Sequence, residues 1–335
     1  MQAAIYAPEG FALTDDERQF FRDSEPAGFI LFRRNCENGD QLLRLTDSLR
    51  ELSGRGDVAI LIDQEGGRVA RMRPPEWPAF PAAERFANLY RKAPSSAIEA
   101  ARSNAHALGV MLRGVGVNVN ALPLLDVRQE GASDIIGDRA FGSEPMQVAA
   151  LGRAVLDGMA SAGVVGIIKH MPGHGRALVD SHKELPIVVA TADELESDLE
   201  PFERLSFAPM GMTAHVVYTA WDPERPASMS PIVIRDIIRE RIGFDGFLMS
   251  DDIGMEALQG DFASRSAGVV AAGCDVALHC SGNMGEMTAI ASAVPQLSAE
   301  GEARLDRAMA ATRIEPEEFD FAQEIAKRDF LLAQA

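Results

Sequence analysis

Ionisable side chains cluster where the hydrophobic runs of this sequence end. Asp63 follows Val58 to Ile62, Lys169 and His170 close a run that starts at Val164, and His215, Asp251 and His279 end three later runs. The densest group is Lys169-His170-Met171-Pro172-Gly173-His174-Gly175 with Asp180-Ser181-His182 close behind, which together hold three of the six histidines. In Asp180-Ser181-His182 a carboxylate two residues before an imidazole can accept its N–H and fix its tautomer. The other ring nitrogen is then left to exchange a proton with substrate. Such a pair needs a nucleophile or a water. No G-x-S-x-G elbow is present and Ser181 reads as a turn residue, so Asp251 in Met249-Ser250-Asp251-Asp252-Ile253-Gly254-Met255 is the best placed partner. A carboxylate nucleophile with a separate proton donor is the logic of a retaining glycosidase. Asp252 beside it reads as a cap for the following turn.

Two other classes would use the same residues. A metal-dependent barrel hydrolase needs imidazoles and carboxylates at fixed geometry, but there is no H-x-H on an early run and no H-E-x-x-H. A sugar-binding protein without catalysis has no need of both Asp251 and the Asp180–His182 pair. Assay of an aryl glycoside with and without chelator separates the three. Neither a metal nor a cofactor is called for.

The ionisable residues meet only if the runs before them are strands of one sheet. The expected strands are Ala3 to Tyr6, Ala27 to Phe32, Val58 to Ile62, Val115 to Asn120, Val164 to Lys169, Met210 to His215, Gly246 to Ser250 and Asp275 to His279. They are short and nearly continuous in hydrophobicity, as strands covered on both faces are. Between them run helical stripes such as Ala101, Ala105, Leu108 and Leu112, or Val148, Leu151, Val155 and Met159. About eight such units suggest a (β/α)₈ barrel, in which all strand ends converge on one face. An open doubly wound sheet would give a similar local pattern, but no G-x-G-x-x-G or Walker sequence follows any strand. Residues 1–335 are therefore read as one barrel, with Ala82 to Ser96 as a loop insertion. Two terminal helices from Ser298 are expected to pack on its wall, with Pro316 in the first turn of the second.

Composition narrows the partners. With 32 basic against 50 acidic residues the net charge is −18, which disfavours nucleic acid and anionic membrane surfaces. The three cysteines, Cys36, Cys274 and Cys280, form no C-x-x-C pair and read as buried small hydrophobes. The first ten residues lack the basic and apolar regions of a secretory signal, and no apolar stretch approaches a membrane span, so a cytoplasmic protein is expected. Arg55-Gly56-Asp57 before a strand reads as a turn.

The segments Asp63-Gln64-Glu65-Gly66-Gly67-Arg68-Val69, Gly137-Asp138-Arg139-Ala140-Phe141, Lys169 to Gly175 with Asp180 to Glu184, Thr213 to Tyr218, and Ser250 to Met255 occur in this order along the chain. Together they resemble glycoside hydrolase family 3, and within it the bacterial β-N-acetylglucosaminidase branch. The resemblance spans roughly residues 1 to 300. It implies a (β/α)₈ barrel, monomeric and cytoplasmic, that removes terminal β-1,4-linked N-acetylglucosamine from muropeptides bearing 1,6-anhydro-N-acetylmuramic acid during peptidoglycan recycling. By position, Asp251 resembles the nucleophile, His182 the general acid/base and Asp180 the residue that orients it. Asp63, Arg71, Arg139, Lys169 and His170 resemble the residues that hold the sugar hydroxyls, with the three basic side chains supplying local positive charge. Met171 stands where Phe is usual, and Arg176 adds a charge to the loop carrying His182, a loop that Gly173 and Gly175 leave free to move. A histidine donor, unlike a carboxylate, does not repel an incoming anion, which makes phosphorolysis beside hydrolysis a secondary expectation. Sugar 1-phosphate among the products in phosphate buffer would reveal it.

Overall fold

Eight parallel strands close into a barrel in chain order: β1 (Gln2–Tyr6), β2 (Pro26–Leu31), β3 (Ala59–Ile62), β4 (Val119–Asn120), β5 (Val165–Met171), β6 (Met210–Thr213), β7 (Phe247–Asp252) and β8 (Val276–Leu278). Each bonds to the next, and β8 returns to β1 through Ala4 opposite Ala277. The structure is a computed structural model that describes residues 1–313 and 320–334. The expected Pro316 lies outside the described residues.

Pleat parity explains both the runs and the site. Residues such as Ile5, Leu61, Ile167, Met212 and Met249 fill the barrel interior. Their neighbours Tyr6, Ile62, Ile168 and Leu248 pack outward beneath the helices. Both faces are therefore apolar, and the strands show no alternation. Continued by two residues, the inward parity of β3, β5 and β7 reaches Asp63, Lys169 and Asp251. Three charged side chains thus converge on the barrel axis at the C-terminal ends of the strands.

Local chemistry sets the helix ends. Thr14 with Glu17 and Thr191 with Glu194 form reciprocal capping boxes, while Pro94 and Pro145 open their helices in the first turn, where a missing N–H costs nothing. Ala82 to Ser96 is accordingly not a loop insertion. It holds the helix Ala83–Tyr90 and the start of Pro94–Gly114, because Pro94 starts a helix here. The fourth strand is shorter than expected. Asn118 spends its side chain on the ladder, accepting from Ile60 N–H and donating to Val58 C=O, and Pro123 offers no N–H. The helix Ala299–Met309 joins the interior cluster through Leu305, Ala308 and Met309, so it closes the N-terminal mouth of the barrel instead of lying on the wall. Phe321–Leu332 does lie on the outside, with Arg328 bonded to Asn104 of the helix Pro94–Gly114. A small sheet of Ile187–Val188, Val217–Tyr218 and Asp222–Pro226, absent from the expected strands, stands beside the barrel.

Candidate active site

The strand ends open into a cleft of about 320 Å³ that Asp63, Arg71, Arg139, Lys169, His170, His182 and Asp251 all line. Asp180 reaches it through His182: the Asp180 Oδ1 atom accepts from His182 N–H at 2.9 Å and lies 2.9 Å from Nδ1. With Nδ1 engaged, Nε2 bonds to no described residue. His182 is largely exposed, as a group that must meet solvent and substrate would be. Burial would push the Asp180 carboxyl up, but the N–H groups of His182 hold it below its ordinary value.

The floor of the cleft is an ion network. Lys169 is only 2% exposed, and its Nζ sits 3.2 Å from Asp63 Oδ1 and 2.8 Å from Glu65 Oε1. Arg71 holds the other oxygen of Asp63 at 3.0 Å and stacks over the Phe32 ring. Arg139 grips Glu65 with two parallel bonds of 2.8 Å. Burial disfavours the charge on Asp63 and Glu65, yet the surrounding cations hold both carboxyls below the usual range. The same pairing raises Lys169 against its burial. The local positive charge expected of Arg71, Arg139 and Lys169 is therefore mostly neutralised: three cations face two carboxylates. What the network supplies is fixed position, since Lys169, Arg71 and Arg139 are each held by a carboxylate.

Asp251 has no ion-pair partner among the described residues, although Lys169 and His170 lie near. Burial would raise its carboxyl, but His170, His215, the Asp252 N–H and Lys169 together lower it, so it is ionised at neutral pH. The Asp252 N–H donates to Asp251 Oδ1 at 2.8 Å. Asp252 caps the turn as expected, its Oδ1 accepting from Gly254 N–H at 2.9 Å. His215 bonds the Asp252 carbonyl through Nε2 at 3.0 Å, and Ser228 Oγ through Nδ1 at 2.6 Å. The end of β7 is thus held from behind.

Three polar residues were given no role of their own in the sequence reading. Glu65 continues the inward parity of Ala59, Leu61 and Asp63, a signal present in the sequence but masked because the strand ends at Ile62. Asp126 left no local signal. It is fully buried, meets His170 Nδ1 at 2.8 Å, and accepts from the backbone N–H of both His170 and His174 at 3.2 and 2.7 Å. It comes there because Leu125 N–H bonds to the Lys169 carbonyl across the sheet. His174, also buried, meets Ser181 Oγ at 3.3 Å and ties the start of the His182 loop to its tip. Cys280 lines the cleft too, unlike its two buried counterparts.

Gly175 turns out to be a close-approach glycine. A Cβ there would lie 1.9 Å from the Val127 carbonyl oxygen, so the loop start is pressed onto neighbouring backbone. Gly175→Ala is expected to lower the melting temperature by roughly 1–4 °C, through a clash costing about 1–3 kcal/mol. An unchanged thermal scan would refute this packing.

Comparison with known proteins gives one consistent neighbourhood. The profile of the Glycosyl hydrolase family 3 N terminal domain matches residues 4–314. A β-hexosaminidase of Aromatoleum aromaticum is 37% identical over 322 residues, covering 94% of this chain and 88% of that one. One of Methylococcus capsulatus is 40% identical over 285 residues, covering 84% and 82%. Among solved structures, native NagZ from Neisseria gonorrhoeae is 31% identical and superposes with a TM-score of 0.88 over 99% of this chain and 98% of that one.

Proposed function

From the premise that the chain belongs to glycoside hydrolase family 3 and is a β-N-acetylhexosaminidase, we propose that it removes terminal β-1,4-linked N-acetylglucosamine from anhydro-muropeptides, with retention of configuration. The observation that carries the proposal is the pairing, across one cleft, of an ionised carboxylate on the barrel axis with an exposed imidazole oriented by its own carboxylate. We place this activity in peptidoglycan recycling, with the enzyme as a cytoplasmic monomer, a reading in keeping with the likeness to NagZ. Among the described residues no helix is long and apolar enough to cross a membrane.

In the proposed mechanism the sugar lies over the ion network, its hydroxyls read by Asp63, Arg71, Lys169, His170 and Arg139. Charge-assisted bonds in a largely buried floor discriminate hydroxyl positions strongly, since a missing hydroxyl leaves a buried group unpaired. Asp251 attacks the anomeric carbon while His182 Nε2 gives its proton to the leaving oxygen, and a covalent glycosyl-enzyme forms. His182 then takes a proton from water, which releases the sugar as its β-anomer. Asp180 keeps Nδ1 occupied in both steps, which fixes the tautomer and stabilises the imidazolium that alternates with it.

Release of N-acetylglucosamine from an aryl glycoside and from the anhydro-disaccharide peptide, unaffected by chelator, is the expected result. Loss of activity with chelator, or an α-anomer as first product, would overturn the reading. His182→Ala should lower kcat/KM about 10²- to 10⁴-fold on the disaccharide but under about ten-fold on a dinitrophenyl glycoside, whose leaving group needs little protonation. Equal losses on both would remove His182 from the acid role.

A further inference from the structure

Arg176 belongs to the loop that carries His182, yet its side chain turns away from the cleft. Its Nε donates to Asp198 Oδ2 at 2.6 Å, and its Nη2 donates to the Glu194 carbonyl at 2.7 Å and to Ser197 Oγ at 3.1 Å. All three acceptors lie on the helix Ala192–Arg204 outside the barrel. Asp198 is 1% exposed, and its Oδ1 has no partner among the described residues. The backbone on which this pair sits is crowded as well. A Cβ on Gly173 would lie 3.1 Å from Asp198 Cβ, Tyr218 Oη donates to the Gly173 carbonyl at 2.7 Å, and Gln129 N–H donates to that of Gly175 at 3.3 Å.

Beyond Ala177 the anchoring changes character. Leu178 is 71% exposed, and the segment leading to His182 is held by the His174–Ser181 contact and by Ala257 N–H donating to the Ser181 carbonyl at 3.3 Å. His174 lies two residues before Arg176, so the ring that steadies Ser181 is carried by a segment held at its start by Asp126 and at its end by Arg176. Asp251 stands on β7 and makes none of these bonds itself, although Ala257 in the loop after β7 holds the Ser181 carbonyl.

We propose that Arg176, clamped to Asp198, Glu194 and Ser197, is a positioning residue that sets where His182 delivers its proton, without touching substrate. The proposal rests on His182 being the acid/base. It separates two functions of the cleft by their anchorage: the nucleophile is set by the barrel alone, the proton donor by the barrel and the outer helix together. Loosening the clamp then impairs protonation of the leaving group and leaves nucleophilic attack unchanged. A 1 Å misplacement of a catalytic group can cost about 10²-fold.

The experiment compares kcat/KM across aryl β-N-acetylglucosaminides of graded leaving-group acidity, and on a chitobiose-type disaccharide, for wild type, Arg176→Met, Arg176→Lys and His182→Ala. For Arg176→Met the expected result is a fall of about 10- to 100-fold on the disaccharide, under about three-fold on the dinitrophenyl glycoside, and a steeper dependence on leaving group that approaches that of His182→Ala. Burial already raises the Asp198 carboxyl to about 6, so it can take up a proton when the guanidinium is removed. Arg176→Lys keeps a charge beside Asp198 but cannot reach all three acceptors. It should show a smaller shift in the same direction and serves if Arg176→Met does not fold. Uniform losses across the series, or an unchanged slope with only a lower melting temperature, would overturn the positioning role. If His182→Ala itself shows no leaving-group dependence, the acid/base reading fails, and the positioning role fails with it. If His182→Ala shows it and neither Arg176 variant does, only the positioning role fails.

Discussion

Asp251→Asn is expected to abolish turnover of every β-N-acetylglucosaminide, lowering kcat/KM on the order of 10⁴-fold or more, as removal of a catalytic group that works in concert with others does elsewhere. The substitution keeps the shape of the side chain, and its carbonyl oxygen can still accept the Asp252 N–H that now lies 2.8 Å from Oδ1. It removes the negative charge that His170, His215 and Lys169 favour. The loss should therefore be in kcat, with sugar binding and melting temperature little changed, and it should be the same for good and poor leaving groups. That pattern separates it from the selective loss expected at His182. Asp252→Asn is the matched control: its side chain caps the turn through Gly254 N–H, and it should cost less than about ten-fold. Full-length mass spectra after exposure to a fluorinated N-acetylglucosaminide should show a covalent adduct in wild type and none in Asp251→Asn. An adduct that persists in the variant would move the nucleophile elsewhere.

How far the site could be read in advance follows from which contacts are local. The barrel was legible because short apolar runs, five of the eight closing on a charged or imidazole residue, record a parity and a polarity together. Asp63, Lys169 and Asp251 needed only that parity to be placed on one axis. Asp180 and His182 were legible because a pair two residues apart makes its bond within one turn. Asp126 and His174 were not, since their partners come from another strand and from the tip of a loop, and nothing in Leu124-Leu125-Asp126 signals a carboxylate that will close on the ends of β5. The same distinction explains Arg176. From the sequence it is a charge added to a mobile loop, and only the position of the helix Ala192–Arg204 shows that the charge is buried against Asp198. Helix boundaries failed at Ala82 to Ser96, where a proline that could end one element began another.

Lys169→Met should be the most damaging of these changes to the fold. Lys169 is buried between Asp63 and Glu65, and its removal leaves two carboxylates in a floor where only Arg71 and Arg139 remain, one on each. Breaking a buried pair typically costs about 3–5 kcal/mol, and the loss here should approach that range from below, because both carboxylates stay buried without their shared cation while each keeps one arginine. The pH dependence should change sign with it. In wild type both carboxyls are held low, so the stability they contribute is fully present above the unfolded values of roughly 4 and is lost only as pH falls through the lower folded values. Without Lys169, burial and mutual repulsion should lift at least one carboxyl above its unfolded value. The variant should then gain stability as pH falls from 8 toward 5, where wild type does not. Urea denaturation at the two pH values is the direct measurement. Pairing Lys169→Met with Glu65→Gln removes one charge of each sign, and should recover part of the stability while activity stays low, because the N–H groups proposed to read the sugar are still missing. Stability that is flat with pH in the single variant would mean that Arg71 and Arg139 alone carry both carboxylates, and that Lys169 serves binding only.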